Sequence, residues 1–403
     1  MAGELAPRSQ MLPPPTERYT LLGWTQRNLF STWYNTLLTL LALGLSYAIL
    51  RPFITWLFTQ ARWEVIEVNI RLLMAGQYPL EELWRAWLCL HLLVAIVGLS
   101  WGIWVRGRKL LGVGVLLVPL SLALVPTISP SVRTHLLAMD GVALIAFGIG
   151  HLGGKNLRRA AIGAWVLYFP LVILIIAGVT PAEGWFPIVP TSLWGGLLLT
   201  FLLTVVGISF SFPLGILLAL GRRSRLPAIR WTSIVYIEVI RGVPLVTILF
   251  MASTMVPLFL PMGMRPDRVL RAMIGITLFS AAYLAENVRG GLQAIPNGQY
   301  EAANALGLSG FQTMTLIILP QALRTVIPVL MGLFIALYKD TSLVVTIGLL
   351  DLLGISRSIL AQPQFVGYQH EVFLFISLIY WVFSYFMSFI SQRLEVALGV
   401  GKR

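Results

Sequence analysis

The sequence predicts an all-α protein with many membrane-spanning helices, and three observations support this fold class. Hydrophobic residues make up 57% of the 403 residues and charged residues only 11%, a balance that does not suit a soluble globule. The apolar residues are gathered in runs that approach the roughly 20 residues needed to cross a bilayer as a helix. Clusters of basic residues directly follow several of these runs. Counting the runs predicts a polytopic membrane protein of about ten spans.

The chain begins with a polar, proline-rich stretch, residues 1–32, which contains Pro13-Pro14-Pro15. This stretch lacks the hydrophobic core of a cleavable signal peptide, and we expect a disordered cytoplasmic tail. The first span is predicted at Trp33–Leu50, with an exit at Arg51-Pro52. Residues 51–86 combine mixed charge with several aromatic residues, a composition typical of amphipathic helices that lie at the membrane interface.

Residues 33–191 as a whole are predicted to form accessory transmembrane helices. Asp140 lies near one end of a span, and we expect it to face a partner helix or to reach the membrane surface, although a functional carboxylate is the alternative. An outer loop, Thr180–Ser192, contains Trp185 and three prolines and closes the region. The four spans predicted after residue 86 are Trp87–Val105, Leu110–Ile128, His135–Gly154 and Ala160–Val179.

Residues 192–403 form the predicted core, a single unit without a second copy in the N-terminal half. An amphipathic segment, Ile234–Val243, precedes one of its spans, and a weakly apolar stretch that ends near Ile359 is predicted to be partly re-entrant or interfacial. The core spans are predicted at Trp194–Leu220, Val243–Leu260, Ala272–Ala285, Val326–Tyr338 and Val372–Ile390.

The net charge of +13 comes from basic loops, which membrane proteins keep on the cytoplasmic side, so it does not indicate a nucleic-acid partner. Both termini are therefore expected on the cytoplasmic side of the membrane. The basic clusters are Arg106-Gly-Arg108-Lys109, Lys155 with Arg158-Arg159, and Arg222-Arg223-Ser-Arg225.

Residues that could carry enzyme chemistry are scarce. The single cysteine, Cys89, lies in an apolar run, and the four histidines show no ligand spacing, so we expect neither a disulfide nor a metal site. No Ser/His/Asp arrangement and no GxxxxGK[ST] phosphate-binding loop is present. We therefore expect a protein that is not an enzyme and that holds no cofactor of its own.

One polar stretch, residues 296–312, lies between two hydrophobic spans and predicts two short helices joined by a bend. Pro296 suits the start of a helix, and the alanines that follow are strong helix formers. Gly307 stands where a left-handed residue would end the first helix. Ser309 and Gln312 have the spacing of a capping box that starts the second.

Within this stretch, Glu301-Ala302-Ala303, Gly307 and then Ile318-Leu319-Pro320 resemble the EAA loop of bacterial ABC importer permeases. In that family the loop is a cytoplasmic coupling helix that docks in a groove of the ATPase subunit. The resemblance implies that Glu301 orients the helix, that Ala302 and Ala303 allow close approach, and that Gly307 makes the bend. The alternative is an ordinary hairpin whose alanines pack on a neighbour.

Other blocks of the core resemble the polar amino-acid branch of the type I importers. Together with the extra N-terminal spans, they are most similar to the larger membrane subunit of general L-amino-acid importers. The resemblance covers the C-terminal half of the chain, and the accessory half matches least well. The blocks are Gly215–Gly221, Tyr236–Leu245, Ala281–Pro296 and Lys339–Leu343.

Charged residues in these blocks are candidates for the substrate pathway. Glu286 and Arg289 are three residues apart on one helix face and can pair. They line or gate the route or brace the loop, or else they form a structural ion pair. Glu238 and Arg241 share this spacing, and Pro244 predicts a break in the helix after them.

The block Lys339-Asp340-Thr341-Ser342 is a similar candidate at the outer face, where Thr341 and Ser342 could instead cap the next helix. An amino-acid zwitterion needs both an anionic and a cationic partner. Glu286 and Asp340 could meet the ammonium group, and Arg241 or Lys339 the carboxylate.

The resemblance implies the permease subunit of an ATP-driven importer that carries amino acids. Its partners would be an ATP-binding subunit that holds ATP and Mg, a second permease subunit, and a periplasmic amino-acid-binding protein. Two other classes stay open. An ion-coupled secondary amino-acid transporter would leave the polar loop without a partner, and a membrane enzyme would need a catalytic constellation that the sequence does not display.

Overall fold

The structure is a computed structural model that describes residues 20–104, 119–125, 128–153, 155–181, 184–261 and 266–399. Within these residues the chain is helical, and β-pairing is limited to isolated bridges. Eight of the described helices are long and apolar enough to cross a membrane, or nine if a bent pair counts as one span. The all-α polytopic fold is therefore confirmed. Most of the predicted span Leu110–Ile128, and the basic cluster Arg106–Lys109, lie outside the described residues.

The chain divides into two units, Met1–Trp63 and Glu64–Arg403. The first unit contains α1 (Leu21–Asn28) and α2 (Trp33–Thr59). The expected disorder of the tail is wrong for α1, because the Thr20 side chain accepts a hydrogen bond from the Gly23 N–H and caps the helix.

The helix α2 also corrects a predicted boundary. It does not exit at Arg51-Pro52 but continues through both residues to Thr59. Proline is tolerated inside a membrane helix because neighbouring groups or local adjustments satisfy the carbonyl that it leaves free. The supposed interfacial segment 51–86 therefore divides between the end of α2, a separate helix and the start of the next span.

The second unit opens with the accessory helices. The helix α4 begins several residues before the predicted Trp87, and α5 before the predicted His135, since their first turns contain charged or polar side chains that a hydropathy run omits. Trp87 on α4 stacks on His135 of α5, with ring centroids 4.6 Å apart. The accessory helices are α3 (Glu64–Ala75), α4 (Leu83–Trp104), α5 (Pro130–Leu152) and α6 (Lys155–Ala177).

Eight labelled helices form the C-terminal part of the unit. The helix α12 is preceded by a π-helical segment, Thr313–Ile318, so this span begins well before the predicted Val326. The eight helices are α7 (Gly196–Arg222), α8 (Pro227–Arg241), α9 (Leu245–Phe259), α10 (Arg268–Gln293), α11 (Asn297–Ala305), α12 (Leu319–Asp340), α13 (Leu352–Leu360) and α14 (Gln369–Leu398).

The helices α7, α10 and α12 pack together and give the core two ends. The loop end contains the last turns of α7 and α10 together with α11, around buried residues such as Leu284, Val288 and Ile318. The opposite end contains the first turn of α7 and the region between α12 and α13, where Asp351 is buried. We call these the loop end and the Asp351 end.

The helix α3 corrects the expectation that this region lies only at the membrane interface. Its apolar side chains Val65 and Leu73 are fully buried, because α3 packs against α7, α13 and α14. Next to its end, Gly76 forms an antiparallel bridge with Trp194, just before α7. An amphipathic helix of the accessory region is thus part of the packing at the Asp351 end.

Candidate functional site

The polar loop has the predicted form of two helices and a bend. The helix α11 ends at Ala305, and Gly307 follows with a φ of +75°. The Leu308 N–H donates to the Ala303 carbonyl at 3.1 Å, and the Gly307 N–H donates to the Asn304 carbonyl at 3.0 Å. These two bonds form a Schellman motif, which satisfies the last carbonyls of α11 and turns the chain.

The segment after the bend starts with the predicted capping box. The Ser309 N–H donates to Gln312 Oε1 at 2.9 Å, and the Gln312 N–H donates to Ser309 Oγ at 3.3 Å. Both hydrogen bonds are local, so the loop keeps its shape through bonds within the chain itself.

The paired alanines do not share one surface. Ala303 is only 3% exposed and is the buried residue of α11, whereas Glu301 and Ala302 are exposed. The expectation that both alanines allow close approach of a partner is therefore wrong for Ala303. Consecutive helical residues point about 100° apart, since a turn contains about 3.6 residues. One alanine consequently faces the chain and the other faces outward.

Sequence reasoning missed two exposed apolar residues of the loop. Leu306 and Phe311 are each 78% exposed, and they flank the bend at Gly307. An exposed apolar patch often marks an interaction site, whereas a single exposed apolar residue does not. The signal was present in the sequence, as two apolar residues next to a glycine bend.

Two side-chain contacts behind α11 were also missed. Arg223, at the end of α7, donates from Nη1 to the Tyr300 hydroxyl at 3.1 Å. Gln321 on α12 donates from Nε2 to Gln299 Oε1 at 3.1 Å. They tie the N-terminal half of α11 to two different helices of the core.

A charge cluster lies at the same end of the core and is formed by Arg222, Glu238, Arg241, Glu286 and Arg289. The predicted pair is present, with Arg289 Nε donating to Glu286 Oε2 at 2.9 Å. Arg222 and Arg241 also approach Glu286, with nitrogen–oxygen distances of 3.5 and 3.7 Å. Three cations therefore surround one carboxylate.

Glu238 and Arg241, although three residues apart, find different partners. Glu238 pairs with Arg222 at 2.8 Å, and Arg241 turns to Glu286 and to the ring of Tyr283. The break predicted at Pro244 is confirmed, because α8 and α9 meet at an angle of 108°. The cluster joins the end of α7 to α8 and α10.

The residues Lys339, Asp340, Thr341 and Ser342 lie at the Asp351 end. The helix α12 passes directly into a 3₁₀ segment, and the Thr341 hydroxyl donates back to the Tyr338 carbonyl at 2.7 Å. The alternative of a helix cap at Thr341 and Ser342 is therefore wrong.

The cap of the next α-helix is Asp351 instead. Its carboxylate accepts hydrogen bonds from the Gly354 N–H at 2.9 Å and the Leu353 N–H at 3.3 Å.

The structure does not bring all the candidate pathway residues together. Gly207 of α7 faces both Ile276 of α10 and Leu337 of α12, which places these two residues at one level. Glu286 lies ten residues beyond Ile276 on α10, toward the loop end. Asp340 lies three residues beyond Leu337 on α12, toward the Asp351 end. At a rise of about 1.5 Å per residue, the two carboxylates are separated by about 20 Å along the helix axes. They cannot contact one ammonium group at the same time.

In the described part of the chain, no group of three or more His, Cys, Asp or Glu side chains is placed to hold a metal ion.

The fold and the two polar regions define a class: a polytopic helical membrane protein with charged side chains in its core helices and an ordered polar loop.

Comparison with known proteins identifies the family. A family model described as binding-protein-dependent transport system inner membrane component matches residues 211–399. The chain is 38% identical over 396 residues to the inner membrane amino-acid ABC transporter permease protein YhdY of Escherichia coli (strain K12), with coverage of 94% of this chain and 93% of that protein. The chain therefore belongs to the ABC transporter permeases, the inner membrane components of binding-protein-dependent transport systems.

Two further relatives differ in how much of the chain they match. The glutamate/glutamine/aspartate/asparagine transport system permease protein BztC of Rhodobacter capsulatus is 36% identical, over 97% of this chain and 96% of that protein. The glutamate/aspartate import permease protein GltK of Escherichia coli O6:H1 is 37% identical, over 52% of this chain but 96% of its own length. Some relatives thus have about half the length of this chain.

Proposed function

We propose that this permease carries amino acids across the bacterial inner membrane, driven by a separate ATP-binding subunit that docks on the loop of residues 296–312. The loop end faces the cytoplasm in this proposal, together with both termini. The basic residues Arg222, Arg223 and Arg225 at the loop end support that orientation, since cytoplasmic loops are enriched in Lys and Arg. ATP and Mg are held by the partner, and this chain needs no cofactor.

The observation that carries the proposal is the surface of the loop. Glu301, Ala302, Leu306 and Phe311 are exposed on one ordered segment, while Ala303 packs inward. Two large apolar side chains next to a small one fit a groove that desolvates them, and the carboxylate of Glu301 fixes the register of docking. Gly307 sets the angle between the two halves of this surface.

The substrate class follows from the relatives and from the charges of the core. The names of the relatives specify amino acids, and two of them specify glutamate and aspartate. The charge cluster has one more cation than anions, so Arg241 and Arg289 can attract the carboxylate of an amino acid.

At the opposite end, Lys339 and Asp340 offer a second pair of charges, with the hydroxyls of Thr341 and Ser342 beside them. Because the two clusters are about 20 Å apart, they act at successive stages of transport in this proposal. A periplasmic binding protein delivers the amino acid to the Asp351 end of this chain and of a second permease subunit. Closure of the ATP-binding subunits moves α11, and α11 transmits that movement to the spans on either side of it.

The test has two parts. The tagged chain is purified in mild detergent, and the proteins that accompany it are identified. The purified assembly is then placed in liposomes, and uptake of radiolabelled L-glutamine and L-glutamate is measured with and without ATP inside. An ATP-binding subunit in the assembly and ATP-dependent uptake support the proposal. A chain that is purified alone and transports without ATP would support an ion-coupled transporter, an alternative that the family membership does not favour.

A further inference from the structure

We propose that two adjacent arginines, Arg222 and Arg223, relay the movement of α11 to the charge cluster of the core. They lie where α7 ends. Arg223 contacts α11, and Arg222 contacts the charge cluster. This inference rests on the proposed function of the loop, because it names the side chains through which docking of the ATP-binding subunit reaches the membrane helices.

Arg223 makes the contact on the side of α11. Its Nη1 donates to the Tyr300 hydroxyl at 3.1 Å and lies 3.5 Å from the Leu292 carbonyl. The guanidinium carbon is also 5.8 Å from the centre of the Tyr300 ring, within the range of a cation–π interaction. Arg223 therefore touches both α11 and the last turn of α10, and a shift of Tyr300 changes its position.

Arg222 makes the contact on the side of the charge cluster. Its Nη1 is 2.8 Å from Glu238 Oε1 on α8 and 3.5 Å from Glu286 Oε2 on α10. Arg222 is 23% and Glu286 22% exposed, whereas Glu238 is 55% exposed. The attraction between Arg222 and Glu286 is therefore screened less than that of a surface pair. A change in the position of Arg222 alters which carboxylate it neutralises.

The backbone connects the two contacts rigidly. Arg222 is the last residue of the 27-residue helix α7, and Arg223 is its C-terminal cap. Both side chains consequently move with the same helix, which crosses the whole core. The contact between Gln299 and Gln321 links α11 to α12.

The test compares variants of the complete importer in liposomes and measures the ATP hydrolysed for each radiolabelled L-glutamine taken up. Tyr300→Phe keeps the ring but removes the hydroxyl that accepts the hydrogen bond, and Arg223→Ala removes the donor. A hydrogen bond to a charged group corresponds to about a tenfold change in an equilibrium. We expect each variant to raise the ATP used for each transported molecule by about threefold to tenfold, and Arg223→Lys to restore much of the coupling.

Loss of folding would lower ATP hydrolysis and transport together, whereas a broken relay raises the number of ATP molecules hydrolysed for each amino acid transported. The double variant Arg223→Ala/Tyr300→Phe should be no worse than the stronger single variant, since both remove the same contact. Arg225→Ala, which removes an exposed arginine two residues away, should keep the normal ratio.

Arg222→Gln addresses the second half of the relay and should uncouple the importer while the Arg223–Tyr300 contact is intact. The relay is overturned if the wild-type importer shows ATP-dependent uptake and if Tyr300→Phe and Arg223→Ala use the same amount of ATP for each transported molecule as wild type. The proposed function stands in that case. A wild-type importer without ATP-dependent uptake overturns the proposed function itself. The two failures are therefore distinguishable.

Discussion

Gly307 lies two residues beyond α11 with a φ of +75°, in the left-handed region that side chains with a branched Cβ avoid. A Cβ at this position would meet no atom within 4 Å, so space is available and only the backbone conformation restricts the residue. We expect Gly307→Val to disturb the bend by roughly 1–2 kcal/mol. ATP hydrolysis should then continue while uptake of labelled amino acid falls, as measured in liposomes.

Gly307→Asn is the matched control, because asparagine adopts the left-handed region more readily than other non-glycine residues. We expect this variant to keep most of its uptake. Equal loss of uptake in both variants would show that the side chain, and not the backbone angle, determines the effect.

The two neighbouring alanines of α11 allow a second comparison. Ala302 is exposed and Ala303 is buried, so a glutamate has different consequences at the two positions. Ala302→Glu should leave the stability of the chain unchanged but weaken co-purification of the ATP-binding subunit.

Ala303→Glu should lower the melting temperature of the chain alone, because burying an unpaired charge destabilises the fold by several kcal/mol. Thermal unfolding in detergent and the yield of co-purified partner separate the two effects. Equal melting temperatures for both variants would contradict the inward orientation of Ala303.

The sequence predicted several of these residues correctly but not their orientation. The spacing of Glu286 and Arg289 was enough to predict their ion pair, and the position of Gly307 was enough to predict the bend, because both depend on local geometry. The contact of Arg223 with Tyr300 joins residues 77 positions apart. No local pattern encodes such a contact, since it depends on how α7 packs beside α10.

At the scale of elements, Asp351 joins the start of α13 to its surroundings. The carboxyl group is fully buried, and it accepts a hydrogen bond from the Tyr380 hydroxyl at 3.3 Å as well as those of the helix cap. Burial raises the pKa of this carboxyl to about 6, although the backbone N–H groups, Tyr380 and the charge of Arg357 act in the opposite direction.

This pKa predicts how stability depends on pH. Between the ordinary pKa of 3.8 and the folded value of about 6, the folded protein holds a proton that the unfolded chain has released. The proton on Asp351 therefore stabilises the folded protein fully when the pH is below the pKa of the unfolded chain. This stabilisation is lost as the pH rises through the pKa of the folded protein. Two pKa units correspond to about 3 kcal/mol.

Asp351→Asn should remove this part of the pH dependence, since an amide does not titrate and its oxygen can still accept from the Gly354 N–H. In wild type, the stabilisation by Asp351 is lost between about pH 4.5 and pH 7. We therefore expect the melting temperature of Asp351→Asn to fall less over this range than that of wild type. Asp267→Asn, which alters the exposed cap of α10, should keep the wild-type response. An unchanged profile in Asp351→Asn would contradict the assignment.

The helices themselves show where hydropathy is a poor guide to boundaries. The predicted span Ala272–Ala285 stopped before the charged Glu286, and the span Val326–Tyr338 started after the polar Thr325, yet α10 continues to Gln293 and α12 begins at Leu319. Charged residues such as Glu286 and Arg289 remain helical because they pair with each other inside the protein. Hydropathy predicts the part of a helix that can contact lipid, and it omits the turns that pack on other helices.

At the scale of the whole molecule, the accessory region and the core share packing at the Asp351 end. Gly76, after α3, has a φ of +63°, and a Cβ there would overlap the Cα of Gly195. We expect Gly76→Ala to lower the melting temperature, because the backbones at Gly76 and Gly195 must separate to admit the added Cβ. The direct control is Gly44→Ala in α2, where a Cβ meets nothing within 4 Å. Equal melting temperatures for the Gly76 and Gly44 variants would contradict this packing.

The boundary predicted at residues 191 and 192 can be examined by truncation. A fragment of residues 192–403 corresponds to the predicted core, and relatives of about that length exist. In this chain, however, α3 buries Val65 and Leu73 against α7, α13 and α14. Removing α3 would expose an apolar face at the Asp351 end, at roughly 25 cal/mol for each Å² uncovered.

We therefore expect the fragment of residues 64–403 to melt within a few degrees of the full chain in detergent and the fragment of residues 192–403 to melt well below it or to aggregate. Size-exclusion chromatography and thermal unfolding of the three proteins provide the measurement. Adding Val65→Ser and Leu73→Ser to the fragment of residues 64–403 should lower its melting temperature toward that of the shorter fragment. If residues 192–403 alone were as stable as the full chain, the core would be independent of α3, and the accessory helices would have to serve another purpose than supporting the Asp351 end.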